Sequence, residues 1–137
     1  MTFIQSVIKN PTRSLRDVAK GSAVATTKGT VLEFSSGLAV PGDNGTTRPE
    51  VIGICNKTIA SGDAETVVPV IDIFEKDVWL VDSTNNSNAA HNGQLMVLGA
   101  NAGLVNNTGT TAAAGIVQQV GVYGAAADKK ILVQFVQ

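Results

Sequence analysis

The sequence predicts an all-β fold: a compact single-domain β-sandwich or barrel of short strands with an extended N-terminal arm. Three features predict it. Short runs rich in Val, Ile, Leu and Thr recur at close spacing from Gly21 onward, and Gly, Asn and Asp fall between them. No segment sustains an apolar period of 3.6 over the length a helix needs. The 137 residues make one domain the simplest division, since a chain of that size buries roughly two-thirds of its unfolded surface. Hydrophobic residues are 44% but aromatics only 4%, so the core must come from Val, Ile, Leu and Ala.

Residues 1–20 read differently from the rest and are taken as the arm, with 21–137 as the β-rich domain. The arm carries four of the ten basic residues, Lys9, Arg13, Arg16 and Lys20. Its scattered apolar positions are Phe3, Ile4, Val7, Ile8, Leu15 and Val18. They fit neither a clean strand nor a long helix, although Ile4, Val7 and Ile8 suit one amphipathic turn before Pro11.

Beyond the arm, strands are expected at Ala23–Thr26, Thr30–Phe34, Leu38–Val40, Val51–Cys55, Thr66–Ile73, Val78–Val81, Gln94–Leu98, Leu104–Asn106, Ile116–Val122 and Lys130–Val136. Turns at Lys28-Gly29, Ser36-Gly37, Gly42 to Gly45, Ser61-Gly62-Asp63, Asn92-Gly93 and Asn101 to Gly103 supply residues that tolerate positive φ or close an Asx-turn. Pro69 cannot donate to a ladder, which points to an edge strand or a bulge. The alanines near 112 and 126 allow at most a single helical turn. Alternation places Trp79 on the face opposite Val78 and Leu80, as core or as a contact anchor.

Charge narrows the function classes. Ten Lys and Arg oppose eleven Asp and Glu, a net charge of −1, and no basic run exceeds Lys129-Lys130, so no nucleic-acid partner is expected. No apolar run approaches the ~20 residues of a membrane span, and the opening does not resemble a leader. One cysteine excludes an intrachain disulfide. The Asn-x-Ser/Thr tripeptides at 44, 56, 85 and 106 are read as by-products of an Asn- and Thr-rich composition. A weakly charged surface favours association.

Candidate chemistry is thin. A nucleophilic Cys55 needs a base, and the single histidine, His91, lies in a polar loop; a core thiol and a loop imidazole are the simpler reading. One Cys and one His cannot build a structural zinc site unaided. Asp72, Glu75 and Asp77 cluster around Phe74 as acid–base pairs can, yet they also suit a solvated hairpin loop. Gly42-Asp43-Asn44-Gly45-Thr46-Thr47 lacks the Gly-Lys-Ser/Thr end of a phosphate loop. No catalytic, cofactor-binding or metal-binding set is expected, and the protein is read as a structural or binding protein.

The order of features from Gly21 to Gln137 resembles the small capsid decoration, or cement, proteins of tailed bacteriophages. The resemblance rests on Thr30 to Leu38, on Val51-Ile52-Gly53-Ile54-Cys55, and on Ile59 to Glu65 leading into Thr66-Val67-Val68-Pro69-Val70. It continues through His91-Asn92-Gly93-Gln94-Leu95-Met96-Val97, Asn101 to Val105, Val120 to Tyr123 and Lys130 to Phe135. It implies a homotrimer on the outer surface of a virion, partnered by the major capsid protein and seated on threefold axes. The arm is not carried over from the family. Its Phe3, Ile4, Val7, Ile8, Lys9, Arg13, Arg16 and Lys20 are candidate capsid contacts, and Trp79 and Phe135 candidate subunit contacts. A glycan-binding module using Trp79, Tyr123 and the Asn-rich loops is the alternative reading, and a Cys55–His91 hydrolase the third.

Overall fold

The structure is a computed structural model that describes residues 3–7, 15–74, 76–108 and 114–136. Its strands are β1 (Ile4–Val7), β2 (Leu15–Ala19), β3 (Val31–Ser35), β4 (Leu38–Pro41), β5 (Val51–Cys55), β6 (Val67–Ile71), β7 (Val78–Ser83), β8 (Leu95–Met96), β9 (Leu104–Val105), β10 (Val117–Tyr123) and β11 (Lys130–Phe135). Single 3-10 turns occupy Arg48–Glu50, Ala89–His91 and Ala126–Asp128. The last of these is the short helical turn that the alanines near 126 allow. The fold is all-β.

Two sheets divide the strands. The first is six-stranded in the order β1-β7-β11-β10-β8, with β9 pairing parallel to β7. It nearly closes on itself. Leu98 bridges Val105, the Gly99 N–H donates to the Leu104 carbonyl, and the Asn106 N–H donates to that of Val97. These contacts carry the chain from β8 onto β9, which returns to β7, so most strand edges are consumed. Trp79, Val81, Met96, Leu98, Val105, Val117, Ile131 and Val133 fill the interior. Along β7 burial alternates, with Trp79, Val81 and Ser83 inward and Val78 and Leu80 only half-buried, as a period of 2 requires.

The second sheet is five-stranded and antiparallel, β2-β6-β5-β3-β4, and a parallel bridge from Lys20 to Ala39 curls its two edges together. Every strand contributes to its interior: Val18, Leu32, Ala39, Ile52, Cys55, Val68 and Val70. Its other face packs on the first sheet through Val31 and Ile54, with Val51, Ile71 and Ile73 partly buried alongside. β5 is thus covered on both faces, which explains its unbroken apolar text Ile52-Gly53-Ile54-Cys55.

A bulge at Gly53 makes the double burial possible. Leu32 pairs with Gly53 but Glu33 with Val51, so Ile52 is the extra residue. The bulge reverses the alternation. Ile52 and Cys55 face the second core, while Val51 and Ile54 face the first. Only glycine fits at the reversal, because a Cβ there would lie 2.5 Å from the Ile71 carbonyl oxygen and 2.6 Å from Val70 Cγ1.

Several expectations are corrected. In its described residues the segment 1–20 is not an arm separate from the body: β1 pairs with β7 and β2 with β6. The amphipathic turn through Ile4 and Val7 is a strand, and Ile8 lies outside the described residues. Ala23–Thr26 forms no strand; Ala23 has a left-handed φ of 67° and only Thr26 bridges, to Ile59. Pro69 lies in an interior strand, not at an edge. It is tolerated because β5 ends at Cys55, so Pro69 faces Asn56, whose N–H donates to the Pro69 carbonyl at 2.9 Å. Residues 72–77 are not a hairpin loop, because β6 and β7 belong to different sheets and the segment crosses between them.

Candidate interaction surface and cleft

The residues that suggested catalysis are dispersed. Cys55 is fully buried in the second core, its thiol donating to the Lys57 carbonyl at 3.0 Å. His91 ends a 3-10 turn packed beside β10 of the other sheet. Among the described residues no hydrogen bond joins the two, and no group of three or more His, Cys, Asp or Glu side chains gathers as a metal site. Asp72 accepts from Arg16 Nε at 2.8 Å. Asp77 is buried, its Oδ2 capping the Phe74 N–H at 2.9 Å. Glu75 lies outside the described residues. The carboxylates therefore serve local structure, one as an ion pair and one as a turn lock.

Shifted ionisations are likewise local. The backbone N–H and hydroxyl of Thr47 hold the Glu50 carboxyl below its ordinary value, the N–H donating to Oε2 at 2.8 Å. Glu65 raises the Lys57 ammonium through a 2.7 Å contact.

The candidate contact residues fall in three places. Phe3 is buried, its N–H donating to the Gly29 carbonyl and its ring 5.4 Å from that of Phe135. Trp79 meets Phe135 edge-on at 6.4 Å and is 2% exposed. Trp79 is therefore core and not a subunit contact, whereas Phe135 is half-buried. Lys20 is also buried, its Nζ donating to the Gly21 carbonyl at 3.0 Å, so it presents no charge to a partner. Ile4 and Val7 lie opposite Leu80 and Val78 in the ladder. Of the arm's cations Arg16 is exposed but tied to Asp72; Lys9 and Arg13, like Ile8, lie outside the described residues.

The surface instead exposes apolar side chains that, Tyr123 apart, the sequence does not single out as contacts. On β10, Val120, Val122 and Tyr123 are exposed, Tyr123 by 54%. β8 pairs only with Val117 and Gln118, so this end of β10 is a sheet edge. Leu15 and Val67 stand on the β2–β6 side, and Phe34 and Leu38 flank the β3–β4 turn. Val120-Gly121-Val122-Tyr123 is legible as strand text, but nothing local says which of its faces stays uncovered.

A cleft of about 410 Å³ opens at the seam between the sheets. Arg48 and Pro49, Val51 and Ile52 of β5, and Ile73, Phe135 and Val136 line it. Its members are up to 88 positions apart in the chain, so no local motif announces it. Arg48 Nε donates to the Gly115 carbonyl at 2.9 Å. That carbonyl is fixed in turn, because Gly115 approaches β8 so closely that a Cβ would lie 2.6 Å from the Met96 nitrogen.

Comparison of the sequence with protein-family models and with characterised proteins finds no match. Among the described residues no helix is long and apolar enough to cross a membrane.

Proposed function

We propose that this chain is a structural virion protein, a decoration or cement protein that binds the outer surface of a capsid shell as a trimer and stabilises it. The observation that carries the reading is the set of large apolar side chains left exposed on strands of an otherwise well-packed body, above all Val120, Val122 and Tyr123 on the β10 edge. Grouped apolar exposure marks interaction surfaces, and a sheet edge accepts a strand from a partner. The resemblance of residues 21–137 to phage decoration proteins points the same way. Burial of Trp79 removes the larger aromatic from a glycan platform, and the separation of Cys55 from His91 weakens the hydrolase reading.

Such a protein acts by mass action. Anything that binds the assembled shell and not its dissociated subunits stabilises the shell, and many copies multiply a modest contact. The test is sedimentation of purified protein with bare phage shells. Saturable co-sedimentation, together with a raised shell-disruption temperature, is the expected result. Protein remaining in the supernatant at every shell concentration overturns the reading.

A further inference from the structure

We propose that the cleft at the sheet seam binds a short extended segment of the partner protein, an aliphatic residue followed closely by a carboxylate side chain. The inference rests on the decoration reading for the identity of the partner, and on the cleft itself for the chemistry. The lining residues are apolar apart from one cation: Pro49, Val51, Ile52, Ile73, Phe135 and Val136 share it with Arg48. The volume of about 410 Å³ lies within the ~300–1,000 Å³ of ordinary ligand sites. It suits one or two aliphatic side chains.

Arg48 sets the polarity of the occupant. Its Nε is spent on the Gly115 carbonyl, which fixes the plane of the guanidinium. Its two Nη groups make no hydrogen bond or ion pair among the described residues. The neighbouring cation, Arg16, differs: Asp72 neutralises it at 2.8 Å, and its Nη2 reaches the Ile52 carbonyl at 3.4 Å. A half-buried, pre-oriented guanidinium with two unused donors matches a carboxylate, which it can grip through parallel N–H···O bonds. The same side chain also lines a shallower pocket with Thr47, Pro49 and Ala114, so a chain lying across Arg48 has a path on either side. That path favours an extended segment over a compact small molecule.

The test uses the full chain in solution with three probes: acetyl-Leu-Leu-Asp-amide, its Asn isostere and octanoate, followed by amide NMR shifts. The Asp peptide should move the resonances of Val51, Ile73 and Val136, and the Asn peptide should bind about 10-fold or more weakly, the worth of a charged hydrogen bond. Arg48→Met should abolish the discrimination between the two peptides. Val136→Trp, which fills the cleft and leaves Arg48 in place, should abolish binding of both. If the Arg48 variant unfolds, the Val136 variant and the Asp/Asn comparison on the natural chain still decide the matter. No shift with the Asp peptide at millimolar concentration, equal affinity for the two peptides, or tighter binding of octanoate each overturns the proposal. Shell sedimentation of the same variants separates the two levels. If the natural chain and Val136→Trp bind shells equally well, the cleft assignment fails and the decoration reading stands. If the natural chain does not bind shells, the decoration reading fails, and the peptide titration alone judges the cleft.

Discussion

Replacing Gly53 by alanine tests the bulge that lets β5 serve two cores. The new Cβ would lie 2.5 Å from the Ile71 carbonyl oxygen and 2.6 Å from Val70 Cγ1, where ordinary contacts begin at 3.4 Å. One obstacle is backbone, so a rotamer change cannot relieve it, and β6 must retreat by about 0.9 Å. Retreat strains the two register pairs between these strands, Ile54 with Ile71 and Cys55 with Val70. Overpacking of this kind costs ~1–3 kcal/mol, and weakening two ladder hydrogen bonds adds ~1 kcal/mol each. The total is about 3–5 kcal/mol, which lowers Tm by roughly 10–17 °C for a domain of this size. Gly121→Ala is the matched control, because its nearest neighbour is the flexible Leu132 Cδ1 at 3.3 Å; it should shift Tm by no more than ~3 °C. Thermal unfolding followed by circular dichroism reads both. A Gly53→Ala protein that melts with the control refutes the bulge argument and the reversal of faces built on it.

Four further outcomes follow from the same structure. Phe3→Ala should cost ~3–5 kcal/mol, the usual figure for emptying a buried aromatic site, and deleting residues 2–18 should leave no cooperative unfolding transition, because it strips a strand from each sheet. Cys55, fully buried, should react with a thiol reagent in denaturant and not in native protein at neutral pH; rapid native labelling contradicts its placement. Glu50→Gln should lower Tm slightly at pH 7, with the difference vanishing as pH falls. The sign follows because the folded carboxyl lies below its ordinary value, so its contribution is present above the unfolded pKa of about 4.3 and lost as pH drops through the folded one.

The strands that the text made legible are those whose side chains alternate or run apolar against a packed partner. Val51–Cys55 is found as read, Lys130–Phe135 stops one residue short of expectation, and Val117–Tyr123 is displaced by one residue at both ends. The N-terminal strands were not legible, for a physical reason. In β2 only Val18 is buried while Leu15, Arg16, Asp17 and Ala19 face solvent, so pairing with β6 leaves almost no hydrophobic period. Pro69 misled because the rule concerns a missing donor, and here the missing N–H points past the end of β5. The sequence leaves Trp79 open between core and contact, because the ring that meets it edge-on is Phe135 of the last strand, against which Phe3 packs in turn. The cleft was invisible for the same reason: Arg48, Ile73 and Val136 meet only when the sheets pack.

The measurement that bears most directly on the proposed function is an electron cryo-microscopy reconstruction of phage shells incubated with the purified protein, beside untreated shells. The account predicts additional density on the outer surface at positions repeated by the shell symmetry, three copies grouped around each, into which this two-sheet body fits. Shells identical with and without the protein, or density confined to the tail, would contradict it.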